Sequence, residues 1–203
     1  MKSNFNNFKI KIFFSLFLFI FCVFTNANAQ VIPYGANFRP VSVLDKFSIK
    51  YLPSKEMSQV FPNKKGAELP VHRTYIVEKG KYEIWYTLFA EIKKTEKPNM
   101  AEFLFYMLNC ASLVAGRNIL MSEMTVLNEQ DLKETFNADF GCFCFLQMPN
   151  SAYAKGFAYV QLQFFYKIGK GFVMRAFLTN NLKTLTIPAK SYKNAFNSFK
   201  FEN

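Results

Sequence analysis

The side chains with the greatest chemical reach beyond the first thirty residues are few: His72, Cys110, Cys142 and Cys144. Cys142 and Cys144 alternate along a segment patterned as a strand, so both thiols fall on one face. Two positions that close on one extended strand would strain a mutual disulfide, which leaves Cys110 as the better partner for either Cys142 or Cys144. The competing reading is three buried thiols acting as small apolar groups. A Cys–His nucleophile and base can meet from distant parts of a chain. Thiols alternating with Phe143 and Phe145 along a strand, however, are expected to be buried and inert. His72 is a lone histidine, and a zinc site usually takes two histidines or several cysteines at set spacing. No metal is expected. The chain contains no Gly-x-Ser-x-Gly elbow, phosphate-cradling glycine loop, Cys-x-x-Cys or His-Glu-x-x-His, and with them go the chemistries those motifs carry.

A second constellation is polar. The run over 157–168 and the run over 172–178 read as two strands joined by Gly169-Lys170-Gly171. A two-residue loop would set Phe164 opposite Arg175. A three-residue loop instead pairs Tyr166 with Met174, Phe164 with Ala176 and Leu162 with Leu178. Because a one-residue slip turns every side chain to the wrong face, the second register is expected, with Gly171 in the left-handed conformation. That register gathers Gln161, Gln163, Lys167 and Arg175 on one face. Such a face offers amide and cationic groups to a carboxylate or a sugar, or is the solvated side of an antiparallel hairpin. Glu129, Asp131 and Glu134 belong to a helix start, where acids favour the dipole. Glu83 and Glu91 flank an apolar strand centre without the pattern of a glycosidase pair.

These residues need elements to hold them. Residues 30–40 carry Pro33, Gly35 and Pro40 and read as an extended lead-in. The alternation over 47–52 predicts a first strand, stopped by Pro53. Residues 54–70, with Pro62, Gly66 and Pro70, read as a long loop suited to binding. Strands are predicted over 71–77 and from Tyr82 onward. In the latter, Tyr82, Ile84, Tyr86, Leu88, Ala90 and Ile92 share one face, while Trp85 and Phe89 lie on the other, as in a central strand covered on both sides. Asn99 caps a helix running to Ala115 and ended by Gly116, its buried face built from Met100, Phe103, Leu104, Met107, Leu108, Ala111 and Val114. Asn128 caps a second helix ending near Phe136. A strand follows over 139–148, and a terminal helix over 189–199 buries Tyr192, Ala195, Phe196 and Phe199.

The chain starts with Lys2, Lys9 and Lys11, then an apolar run over 12–24, then Ala27-Asn28-Ala29 before Gln30. This is the pattern of a secretory signal peptide, and the run is too short for a spanning helix of roughly 20 residues. Cleavage is expected between Ala29 and Gln30. Cys22 sits between Phe21 and Val23 inside the apolar run and is not a lipid-attachment cysteine. The expected mature chain, 30–203, is a single domain without a membrane span, in the periplasm or outside the cell, and peripheral to a membrane at most. Removing three leader lysines from a net charge of +11 leaves +8. Scattered lysines and export both argue against nucleic acid. Eight of the 26 phenylalanines lie in the leader, and the rest are expected to be core.

The order of elements predicts an α+β fold, an antiparallel sheet of about six strands with helices packed on its faces. The opening Phe47-Ser48-Ile49-Lys50-Tyr51-Leu52-Pro53, the tyrosine-rich third strand and the closing Phe196-Asn197-Ser198-Phe199-Lys200-Phe201 resemble the α/β-sandwich family of the PsbP extrinsic photosystem protein. The middle segment Phe136-Asn137-Ala138-Asp139-Phe140-Gly141 also resembles small secreted bacterial proteins of unassigned function. The resemblance implies a sandwich fold and no particular activity. The metal binding of the photosynthetic branch uses histidines, and one histidine does not carry that site over. The expectation is a non-enzymatic binding domain of the envelope or exterior, without a cofactor, whose partner is an envelope protein or small ligand. A thiol-dependent enzyme or redox protein using Cys142, Cys144 or Cys110, and a membrane-associated assembly factor, stand as alternatives.

Overall fold

The computed structural model describes residues 38–40, 49–55, 57–60, 69–77, 81–91, 100–147, 149, 153–154, 156–186 and 198–203. All of these lie in the compact unit Tyr34–Asn203, and the other unit, Met1–Pro33, lies outside them. The expected leader and the Ala29–Gln30 boundary therefore fall outside the described residues.

Ten strands and four helical segments, one of them the single 3-10 turn Met121–Glu123, make up the described chain. The strands are β1 (Phe38–Pro40), β2 (Ile49–Tyr51), β3 (Met57–Val60), β4 (Arg73–Val77), β5 (Tyr82–Glu91), β6 (Thr125–Val126), β7 (Phe140–Gln147), β8 (Tyr159–Lys167), β9 (Gly171–Thr179) and β10 (Phe199–Phe201). Helix α1 is Met100–Ala115, α2 is the single turn Glu129–Asp131 widening into a π-type turn over Leu132–Phe136, and α3 is Leu182–Thr186. Eight strands form one antiparallel sheet in the order β3-β4-β5-β9-β8-β7-β6, with β1 paired to the far end of β5, while β2 and β10 form a separate ribbon. The fold is thus a sheet-rich α+β arrangement. The count of about six strands was too low because four short strands, β1, β3, β6 and β10, have only two to four residues each and are fixed by pairing with distant segments.

Two of those short strands correct the reading of loops. Residues 57–60, expected inside a long loop, pair residue for residue with β4 from Met57 opposite Val77 to Val60 opposite Thr74. The lead-in contributes β1, whose fully buried Phe38 sits edge-on to Tyr106, Tyr166 and Phe172 at ring separations of 5.4–5.9 Å. The third correction is at the chain end. Phe199 does not end a helix; Phe199, Lys200 and Phe201 pair with Tyr51, Lys50 and Ile49. Most of the expected terminal helix lies in 187–197, outside the described residues.

Strand β5 is central, with β4 and β1 on one side and β9 on the other. Its period of two divides the core. Helix α1 covers the face of Phe172, Tyr166 and Cys142: Phe103 stacks on Tyr166 at 5.1 Å and meets Phe172 edge-on at 5.5 Å. The opposite face carries Ile84, Tyr86, Phe165, Val173 and Phe177, and packs with Phe136 of α2 and with Ile49, Phe199 and Phe201 of the ribbon. Each face is therefore sealed by a different element, which explains why strands β5, β8 and β9 are apolar on both sides. The buried row of α1 is Phe103, Tyr106, Met107, Cys110, Ala111, Val114 and Ala115. It is turned relative to expectation, with Leu104 and Leu108 only half-buried. Gly116 ends the helix at φ 69°, and Asn128 caps α2 by accepting from the Gln130 and Asp131 amides.

Among the described residues no helix is long and apolar enough to cross a membrane.

Candidate functional site

The polar set begins in the hairpin β8–β9. Its loop has three residues, as expected, but it is 168–170, one position earlier. Lys167 pairs with Gly171, Phe164 with Met174 and Leu162 with Ala176. The register therefore differs from the expected one by two residues, which leaves every side chain on its expected face. Crowding by β5 decides the shift. Gly171 lies against Ala90, and a Cβ on Gly171 would collide with the Phe89 carbonyl oxygen. Gly171 is thus held inside the strand, and Gly169, at φ 72°, takes the left-handed position in the loop.

The register aligns Tyr86, Arg175 and Gln163 across three neighbouring strands. All three side chains are buried, as is Ser198 at the start of the ribbon. Arg175 Nε donates to Gln163 Oε1 at 2.9 Å, and Nη1 donates to Ser198 Oγ at 3.2 Å. Ser198 Oγ also shares a hydrogen bond with the Tyr86 hydroxyl. Four rings face the guanidinium carbon, Phe136, Phe165, Phe177 and Phe199, with centroids 4.9–5.3 Å away. Burial strengthens such cation–π contacts, which reach about 2 kcal/mol when desolvated.

On the face bearing Gln161, Gln163, Lys167 and Arg175, the centre formed by Gln163 and Arg175 is therefore closed to solvent, while Gln161 and Lys167 at its margins stay half-buried. The alternation was right and the environment was not, because the ribbon and α2 close over it. Arg175 and Gln163 serve the seam between sheet and ribbon and present no atom to a ligand from outside. Gln161 is half-buried and accepts from Gln163 Nε2 at 3.4 Å. Lys167 stands apart: its Nζ donates to Asn137 Oδ1 at 3.0 Å and pairs with Asp139 Oδ1 at 3.5 Å. Asn137 in turn donates to the Phe201 carbonyl at 3.1 Å. Lys167 thus ties the hairpin to the end of α2 and, through it, to the C-terminal strand.

The thiols are brought near one region without being joined. Cys110, Cys142 and Cys144 are free and buried, in place of the expected bridge from Cys110. Cys142 Sγ instead contacts Met107 Sδ at 2.9 Å. Burial pushes the Cys142 and Cys144 thiols up to about 12, and that of Cys110 higher still. A thiol so displaced is almost wholly protonated near neutrality and is a poor nucleophile. His72 lies elsewhere. Its Nδ1 accepts from the Leu88 amide at 3.1 Å, and its own amide donates to the Tyr86 carbonyl at 2.8 Å. From β5, the cysteine strand β7 is three strands away, about 14 Å at the usual spacing, which keeps Cys142 and Cys144 apart from His72. Among the described residues, no three His, Cys, Asp or Glu side chains stand close enough together to hold a metal ion.

Two buried polar contacts had no counterpart in the sequence reading. Glu91 accepts from the Gly169 amide at 2.8 Å and from the Tyr166 hydroxyl at 3.3 Å, pinning the hairpin loop. Arg73 lies 4.5 Å over the Tyr51 ring, which meets Tyr86 edge-on at 5.4 Å. Burial raises the Tyr51 hydroxyl pKa, with the Arg73 charge partly opposing it. An acid ending an apolar strand was the one signal available for Glu91. Nothing local marked Tyr51 as a partner for Arg73, because the ribbon that brings them together joins distant ends of the chain. The chain matches no protein-family model and no curated protein, so its function is to be argued from this geometry.

Proposed function

We propose that this chain is an exported, non-enzymatic interaction domain of the cell envelope or exterior, built on the sandwich plan of the PsbP-like proteins. One observation carries the reading. The side chains best suited to chemistry, His72, Cys142, Cys144, Gln163 and Arg175, are spent on internal contacts or burial. The partner is an envelope protein or a small ligand met at the surface, and nucleic acid is disfavoured by scattered lysines. A peripheral membrane role is the second reading, favoured by exposed apolar side chains beside α1. Thiol chemistry at Cys110, Cys142 or Cys144 is opposed by their displaced titration.

Fractionation of cells that express the full chain tests this reading, together with alkylation of the native protein. The expected result is a chain beginning at Gln30 in the exported fraction, with thiols that resist iodoacetamide until the protein is unfolded. A chain retained inside the cell with residues 1–29 attached overturns the export reading. Alkylation of the native protein at the rate of free cysteine overturns the non-enzymatic one.

A further inference from the structure

Helix α1 is unusual for one lying on the outside of a sheet. Its sixteen residues hold a single charged side chain, Glu102. One side packs on the sheet through Phe103, Tyr106, Met107 and Cys110. The opposite side follows the helical period through Ala101, Phe105, Leu108 and Ser112, of which Ala101 and Phe105 are exposed and the others half-buried. Phe105 is 51% exposed. The chain then turns back on the helix: the Ile119 amide donates to Ser112 Oγ at 2.9 Å. That contact sets Leu120 and Met121, 63% and 40% exposed, beside the last turn of the same row. Three of the seven large apolar side chains exposed among the described residues therefore lie along one helix and its return.

We propose that this surface docks on an anionic lipid membrane, with α1 lying along the interface. The proposal deepens the peripheral membrane reading above and rests on it. Charge complementarity selects the occupant. Without residues 1–29 the chain keeps a net charge of +8; Lys93, Lys94 and Lys97, with Glu96 among them, precede the helix in sequence, and Arg117, paired with Glu123 at 2.6 Å, follows it. A net-positive protein is drawn to an anionic leaflet, whereas a second copy brings the same charge and is repelled. One helical row and one turn is also small beside the roughly 800 Å² per partner of a stable protein interface. An exposed apolar row with an aromatic side chain, on a chain of net positive charge, suits a helix that lies in the membrane interface.

The chain's one tryptophan, Trp85, is buried, so a Phe105→Trp variant of the full chain adds a reporter at the proposed contact. Its emission is read with phosphatidylcholine vesicles, with and without phosphatidylglycerol, carrying brominated acyl chains. The expected result is a blue shift and quenching of the introduced indole on the anionic vesicles, with little change in the unsubstituted chain. Leu120→Ser with Met121→Ser should reduce that quenching. An unquenched indole overturns the proposal, as does equal quenching without phosphatidylglycerol. A dimer in light scattering that Phe105→Ser converts to monomer also overturns it, in favour of a second copy. The signal comes from position 105, so insertion of the apolar run over 12–24 does not imitate it. Failure leaves the export reading standing, because that reading is judged by the fraction and the N-terminus.

Discussion

Replacing Gln163 with leucine removes the acceptor that takes the Arg175 Nε–H at 2.9 Å, inside a site with no solvent exposure at either residue. Side-chain volume changes little, so the packing cost is small. What changes is the solvation of a buried cation. Leaving a buried cation short of its neutral acceptor costs about 1.5–3 kcal/mol, the range of hydrogen bonds to charged groups, a sizeable part of the roughly 5–15 kcal/mol that holds a domain together. Arg175→Met removes the charge and leaves the Gln163 oxygen short of a donor, at about 1–3 kcal/mol for an unsatisfied buried acceptor. The double variant, Gln163→Leu with Arg175→Met, removes both ends of the contact and should be less destabilised than Gln163→Leu alone. Equilibrium urea unfolding followed by the fluorescence of Trp85 measures all four chains. Strict additivity of the two substitutions, or a Gln163→Leu chain within about 1 kcal/mol of the parent, where a surface change would put it, refutes the account of Arg175 as a buried cation held by Gln163.

The two strand thiols predict alkaline sensitivity. The folded pKa values of Cys142 and Cys144, about 12, lie above the ordinary 9.0, so their contribution is complete below pH 9 and is lost as pH rises toward 12. The loss is about 1.4 kcal/mol per pH unit per thiol, and Cys142→Ala with Cys144→Ala should flatten the pH dependence of urea midpoints between 9 and 10.5. At acid pH the sign reverses for Glu123, whose carboxyl is held at about 2 chiefly by the Arg117 guanidinium. Its tie to Arg117 is present above pH 4.5 and lost as pH falls toward 2, so Arg117→Gln should raise the Glu123 titration followed by NMR toward 4.5. The hairpin glycines differ. Gly171→Ala should destabilise by about 3 kcal/mol or more, because its Cβ meets backbone at positive φ, whereas Gly169→Ala, in open space, should cost about 1 kcal/mol; equal losses in chemical denaturation contradict the shifted register.

The long elements were legible because their burial is periodic. Tyr82, Ile84, Tyr86 and Leu88 alternate with Trp85 and Phe89, and this pattern alone identifies a strand covered on both faces. Asn128 at a helix start and Gly116 at a helix end name their positions through backbone chemistry that acts within one turn. The shape of the α1 face was legible only in part. Leu104 and Met107 look equally apolar in sequence, and the angle at which the helix meets the sheet decides which of them is buried. Residues 57–60 carry one buried side chain, Met57, and too little alternation to read as a strand. Phe199-Lys200-Phe201 does alternate, yet it sits at the end of a segment that also satisfies helical spacing. Choosing between the two requires knowing that residues 49–51 lie alongside.

The same division runs through the candidate site. By itself the sequence determined which side chains share a face, since a period of two is a property of the strand and survives a shift of two residues. It therefore placed Gln163 with Arg175, and Cys142 with Cys144. Whether those faces meet water, lipid or protein depends on elements far away in the chain. The C-terminal ribbon turned an expected binding face into the interior, and α1 did the same for the thiols. Burial sets both solvation and titration, and it is decided only when distant segments pack. Only the tertiary structure could show that the cation at 175 is enclosed and that Phe105, on the far side of the covering helix, is left exposed.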